Sequence, residues 1–283
     1  PASELPEVVV TAPEPRYVAP TNRDGIGRVW APVYIDDRGP FRLVLDTGAN
    51  ASVITPAVVR ALGRQPDPRR RSTLYGVTGS ADVQMVRTDG LRVGDLEIEP
   101  AWLAVVADAF GGAEGVLGNH GFRDKRIFID FKRDRITIRR SKGEKPEPGM
   151  RVVPVHLTSR SLLVVPAKVG NVTVKAVIDT GGQVTLGNEA LRTALERARL
   201  REPRVEEIVG VSQESAAATS LATPPIWLGD LQIRNARIAF ADMYIFEHWR
   251  MTREPALLIG MDVLGVLEQL VIDYRRRELH VRL

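Results

Sequence analysis

The sequence predicts an all-β protein made of two halves related by a pseudo-two-fold axis, each carrying one or two short helices. Three observations lead there. Short apolar stretches alternate between Gly-, Asn- and Asp-containing turns. Helix signals are few. And the chain repeats itself: Leu43–Thr55 reads LVLDTGANASVIT, Val177–Asn188 reads VIDTGGQVTLGN, and the two Asp-Thr-Gly triplets lie 133 residues apart.

The repeat continues in register order. LYGVTGS (Leu74–Ser80) matches IVGVSQE (Ile208–Glu214), and LRVGDLEI (Leu91–Ile98) matches IWLGDLQI (Ile226–Ile233). GVLGNHGF (Gly115–Phe122) matches LLIGMDVL (Leu257–Leu264), and IDFKRDRITIRR (Ile129–Arg140) matches IDYRRRELHVRL (Ile272–Leu283). Five blocks in one order indicate a tandem duplication. The expected division is a Pro-rich tail over 1–28, a first lobe over 29–145 and a second over 146–283, joined through the polar segment SKGEKPEPGM (Ser141–Met150).

Within each half, a hairpin leads into the triplet. Val29–Ile35, the turn DDRGP and Phe41–Leu45 form the first; Leu162–Val169, the turn Gly170-Asn171 and Val172–Ile178 form the second. Pro56–Leu62 reads as a helix, as does Glu189–Leu200 with Asn188 as its N-cap, and Val263–Leu270 as a shorter one. VGDLEI and LGDLQI read as hairpins turning at Gly-Asp. The tail is extended by its prolines, and its VVV run suits an edge strand. A tail of this kind commonly follows a removed secretion signal, hence the expectation of a periplasmic or secreted protein.

Composition narrows the function. The 283 residues are 44% hydrophobic and 26% charged, which excludes a disordered or collagen-like chain. Cysteine is absent, so disulfides and thiol catalysis are excluded. The four histidines, His120, His156, His248 and His280, have no metal-ligand spacing, and no metal or cofactor is expected. Apolar runs are far shorter than the roughly 20 residues of a membrane span. The net charge of +4 is spread over short arginine clusters, so no nucleic acid partner is expected, although acidic substrates suit it.

The chemistry sits in the two triplets. An apolar strand ending in Asp-Thr-Gly holds a carboxylate at the end of a rigid element, and the glycine lets a second backbone approach. Pseudo-two-fold packing would bring Asp46 and Asp179 face to face. Two carboxyls at hydrogen-bond distance cannot both ionise easily, so the pair holds an acid and a base at once. That suits attack of water on an amide carbonyl, without metal or covalent intermediate.

At these residues the sequence resembles the aspartic peptidases, the superfamily of pepsin and the retroviral proteases. LVLDTGANAS and VIDTGG resemble its two active-site loops, GVLG and LLIG its hydrophobic-hydrophobic-Gly motif, and TLYGVTGS (Thr73–Ser80) the flap that closes over bound peptide. The shortness of each half resembles a retroviral protomer, so the resemblance implies a single-chain fusion of two such β-barrel lobes. It implies further that Asp46 and Asp179 are catalytic, that Thr47 and Thr180 link the loops, that Gly48 and Gly181 donate N–H groups to the carboxylates, and that Tyr75 and Gly76 form the flap. The implied partner is an extended polypeptide in the interlobe cleft of a monomer.

Departures from the family pattern carry expectations too. Ile208-Val209-Gly210 lacks a tyrosine, which implies closure by the first hairpin alone. Ala49 and Gly182 stand where pepsin-like lobes place a hydroxyl, so the pair should keep its proton to higher pH and work in weakly acidic to near-neutral solution. A non-catalytic peptide-binding module of the same fold is the alternative function. Asp262 reads as a helix cap or loop residue, Asp130 and Asp273 as strand-end turn residues, and DMYIFEHWRMTRE (Asp242–Glu254), with His248 and Trp249, as a surface loop around one buried aromatic that could otherwise line a substrate wall.

Overall fold

A computed structural model of the chain describes residues 8–11, 27–107, 111–196, 200–210 and 215–283. The Pro-rich tail thus lies outside the described residues except for Val8–Thr11 and Gly27-Arg28. Val8–Thr11 forms an edge strand, paired in parallel with Leu231–Arg234.

Strands dominate, curled into two half-barrel sheets, one per repeat. The hairpin entering each triplet shows why. In Leu163–Val169 the burial alternates strictly: Leu163, Val165, Ala167 and Val169 face inward while Pro166 and Lys168 face water. The strands that reach the aspartates lose this alternation. Leu43, Val44 and Leu45 are all buried, as are Ala176, Val177 and Ile178, because these strands run through the middle of their sheets with both faces covered. The first hairpin turns more tightly than the DDRGP reading: Asp36 and Asp37 both take positive φ, and the next strand, Arg38–Leu45, begins directly.

Each central strand is joined in parallel by the strand of the hydrophobic-hydrophobic-Gly motif. Gly115–Leu117 pairs with Leu43–Leu45, and Ala256–Ile259 pairs with Lys175–Ile178. A short strand after each triplet, Val53–Ile54 or Leu186–Gly187, pairs antiparallel with that same motif strand. The glycine that follows must be a glycine. A Cβ on Gly118 would lie 2.6 Å from the Ala51 carbonyl oxygen, and one on Gly260 would lie 2.6 Å from that of Val184. The loops after the aspartates are therefore packed directly against the motif backbone.

Helix Pro56–Leu62 has the expected bounds, with Thr55 as N-cap and Gly63 in the left-handed conformation closing it. The second is shorter than the sequence suggests. It covers Glu189–Ala194, with Asn188 accepting from the Leu191 N–H at 2.9 Å. The third departs further: Met261–Leu264 is helical, but Gln269–Asp273 is a strand. A further short helix, Tyr244–His248, lies in the segment read as a surface loop. Among the described residues the second half thus has three short α-helices where one or two were expected.

A third sheet explains the loss of helix after Leu264. Its order is Arg135–Arg140, Lys125–Asp130, Gln269–Asp273, Glu278–Arg282, Arg151–Pro154, so both halves contribute to it. At its centre Phe128 lies opposite Val271 in an antiparallel ladder. One apolar core runs through this seam, joining Leu45, Leu117, Phe122 and Ile127 of one half to Ile178, Ile259, Leu270 and Ile272 of the other. The strand-end Asp273 is also the acid of a buried ion pair. Arg126 Nη1 donates to it at 2.9 Å, and the Ser141 hydroxyl donates at 2.9 Å from the segment that links the halves.

Removing one member of a buried ion pair leaves the other uncompensated. Arg126→Met should lower the free energy of unfolding by about 3 kcal/mol, read from urea denaturation.

Candidate active site

The two triplets meet beneath the seam between the lobes. Asp46 follows directly from the buried strand Arg38–Leu45, and its N–H donates to the Leu117 carbonyl at 3.0 Å. Asp179 follows Val172–Ile178 in the same way, donating to the Ile259 carbonyl at 3.0 Å. The motif strands thus hold each aspartate's backbone in place.

The threonines cross. The Thr47 hydroxyl donates to the Ile178 carbonyl at 2.7 Å, and the Thr180 hydroxyl donates to the Leu45 carbonyl at 2.7 Å. Each hydroxyl oxygen also accepts the other threonine's backbone N–H, both at 3.2 Å. Both side chains are fully buried, so these four bonds replace water rather than compete with it.

The carboxyls are oriented by backbone N–H groups. Asp46 Oδ1 accepts from Gly48 and Ala49, both at 2.8 Å. Asp179 Oδ1 accepts from Gly181 at 2.9 Å and Gly182 at 3.1 Å. The glycines also allow the carboxyls to approach. A Cβ on Gly48 would lie 2.9 Å from the Asp179 carboxyl carbon, and one on Gly181 would overlap the carboxyl carbon of Asp46. Each loop's glycine therefore faces the other loop's acid.

The two acids hydrogen-bond to each other, and their environments differ. Burial pushes both carboxyls above the ordinary range. The charge of Asp46 raises Asp179 further, well above it, while Asp46 is drawn back by the hydrogen bond from Asp179, its N–H donors and the Arg28 cation. The pair is therefore disposed to keep one proton between the two carboxyls, with Asp179 pushed up further than Asp46. Arg28 Nη1 reaches the Gly181 carbonyl at 3.4 Å, so a first-half cation lies across the second-half loop. Among the described residues, no three His, Asp or Glu side chains converge as a metal site would require.

Several residues of this framework carry no motif. Ser52 and Thr185 occupy the same repeat position, and their hydroxyls accept from Gly118 N at 3.1 Å and Gly260 N at 3.2 Å. That shared hydroxyl is the signal in the repeat that could have found them. Asn119 Nδ2 donates to the Thr47 carbonyl at 3.3 Å. Asp262, in the first turn of its helix, accepts from Thr185 N at 2.9 Å and Thr185 Oγ1 at 2.7 Å. Burial pushes the Asp262 carboxyl up to about 6.

Tyr75 and Gly76 lie at the end of a hairpin formed by Asp67–Tyr75 and Ser80–Thr88, closed by Gly76 N donating to Gly79 O at 2.8 Å. The second half builds a matching hairpin from Arg201–Val209 and Ser215–Ala222, its tip lying outside the described residues. The two hairpins meet: Gly210 sits so close to Thr78 that a Cβ there would overlap the threonine hydroxyl.

Two lobes, crossed threonines and paired aspartates make up the candidate site. The sequence agrees with this, matching the family described as aspartyl protease over residues 31–120 and again over 165–263, once in each half. The chain belongs to the aspartyl protease family. No individual curated protein matches it.

Thr180→Val keeps the shape but removes a donor and an acceptor. It should lower the unfolding free energy by about 2 kcal/mol. Asp262 gives a pH signature. Its folded-state value is raised, so its favourable contribution is complete below the unfolded value of 3.8 and is lost as pH rises through about 6. Asp262 as a residue is exposed, so solvent screens the effect; in Asp262→Asn the modest fall in stability that the parent shows between pH 4 and pH 7 should disappear from the urea profile.

Proposed function

We propose that the chain is an aspartic endopeptidase in which Asp46 and Asp179 hydrolyse a peptide bond of an extended polypeptide held between the lobes. The observation that carries this reading is the hydrogen-bonded pair itself, with one proton shared by two carboxyls whose environments push them apart.

In this reading Asp46 is the anion and Asp179 the acid. A water between them gives a proton to Asp46 as its oxygen attacks the carbonyl carbon, and Asp179 protonates the carbonyl oxygen. The tetrahedral intermediate then collapses: Asp46 gives its proton to the amide nitrogen, the C–N bond breaks and the amine leaves, and Asp179 takes back a proton from an intermediate hydroxyl whose oxygen becomes the carbonyl of the new carboxyl group. Thr47, Thr180, Gly48 and Gly181 position the pair, and Tyr75 and Gly76 cover the substrate. The hydrogen bond from Asp179 and the Ala49 and Gly48 N–H groups keep Asp46 the more acidic of the two, and Arg28 adds to their effect. Because both halves of the site lie in one chain, we propose that a monomer suffices.

Asp46→Asn and Asp179→Asn should each lower kcat/KM on a peptide library by at least about a thousandfold with the fold retained. Parental cleavage by both variants would exclude the mechanism, and peptide binding without products in the parent would favour a binding module. With both acids raised, the singly protonated pair should give activity into the weakly acidic and near-neutral range. Arg28→Gln should move the acid limb of the kcat/KM profile to higher pH, since Asp46 loses the cation that favours its anion.

A further inference from the structure

We propose that His248 is a positioning residue for this reaction. It acts through Tyr75 by docking the first-half hairpin on the segment Asp242–Glu254, which has no counterpart in the first half. The inference rests on the peptidase reading for its kinetic consequence, though not for the dock itself.

The hairpin tip crosses onto the second lobe and is held there by three different kinds of contact. The Ile245 N–H donates to the Val77 carbonyl at 3.2 Å. The Val77 side chain packs on the second lobe's apolar cluster, with Ala218, Ile245 and Phe246 at its centre. The Tyr75 ring lies on the His248 imidazole, centroids 3.9 Å apart and planes within 22°. Tyr244 continues the stack, 6.4 Å from each ring. A flap tyrosine that would otherwise present its face to water therefore has a fixed place, and at 37% exposure it remains open to a bound chain on its other side.

The dock is itself built in. Asn188 Nδ2 donates to the carbonyls of Met251 and Glu254, at 2.6 and 2.8 Å, fastening the far end of the segment. Phe246 is buried, with Trp249 edge-on against it at 6.5 Å. His248 is gripped by Arg160, whose Nη1 lies 2.6 Å from Nε2 and 3.0 Å from the His248 carbonyl oxygen. A guanidinium has no lone pair to offer, so Nε2 must be the acceptor and the ring is neutral, with its hydrogen on Nδ1. Arg160 in turn gives its carbonyl to Asn119 Nδ2 at 3.5 Å, and the same amide donates to the Thr47 carbonyl. A continuous set of contacts thus joins the loop of Asp46 to the flap.

The arrangement titrates. The groups facing His248 are Arg160 from the loop before Leu163, Tyr75 from the hairpin and Tyr244 from its own helix. Burial, and then the Arg160 cation, hold the imidazole below the ordinary histidine range. A depressed histidine contributes fully above its unfolded value, and the contribution is lost as pH falls through the folded one. Protonation would set an Nε2–H against the guanidinium, so acid should undock the flap.

The test is hydrogen exchange at the amides of residues 74–79 in the parent, His248→Ala and His248→Phe, at about pH 7.5 and about pH 5, with peptide kinetics alongside. At the higher pH, His248→Ala should exchange these amides about tenfold faster than the parent, with core amides unchanged, and should raise KM more than it lowers kcat. His248→Phe keeps a ring for Tyr75 and should restore slow exchange and KM. It should also lack the acid-induced rise in exchange that the parent shows. Parental exchange in His248→Ala, or acid release persisting in His248→Phe, would overturn the proposal. A parent that cleaves no peptide yet shows this exchange pattern would overturn the peptidase reading and leave the dock standing.

Discussion

Each Asp-Thr-Gly loop is completed by the other half of the chain. The threonine hydroxyls reach across to the Ile178 and Leu45 carbonyls and accept each other's backbone N–H groups, in a place closed to water. Neither loop could bury its threonine alone without leaving polar groups unpaired. The contact also fixes a separation. With Gly48 against Asp179 and Gly181 against Asp46, the carboxyls are held too close to ionise independently, and their raised proton affinities follow from that enforced proximity and from burial. The shared sheet, whose Ile127, Ile129, Leu270 and Ile272 lie in the common apolar core, keeps the halves from sliding and so protects this geometry.

Much of this is legible in the residues because the informative signals are local and occur twice. The hairpins into the aspartates announce themselves by alternation turning into an unbroken apolar run, and helix Pro56–Leu62 by a threonine cap and a terminal glycine. The failures are those where distant partners decide. Leu264 to Leu270 has the composition of a helix, but Gln269–Asp273 is needed to pair with Lys125–Asp130 and is drawn into strand. The helix expected over Glu189–Leu200 ends at Ala194 as an α-helix, its later residues 197–199 lie outside the described residues, and the next strand begins at Arg201. His248 has no signal of its own, since its partners Tyr75 and Arg160 are far away in the sequence. Arg28 meets the Gly181 carbonyl 153 residues away, and no motif marks it.

The duplicated frame is used asymmetrically. Asp262 braces the second loop through Thr185, whereas the first half places His120 at the corresponding position of its motif. Arg28 lies on the Asp46 side of the pair. Among the described residues, the helical segment around His248 has no match in the first half. Two near-identical acids in a symmetric setting would exchange roles freely. The surrounding differences raise one acid further than the other, and they give the first hairpin a landing place on the second lobe.

The seam has a temporal corollary. A ribosome delivers Asp46 long before Asp179, and the strand Gln269–Asp273 that zips the halves together comes about a third of the chain later still. A nascent polypeptide therefore carries one unpaired carboxyl while the 133 residues from Asp46 to Asp179 are added, and the strand that closes the seam follows later. The paired arrangement thus cannot assemble until both halves have been made, whatever the first half does alone.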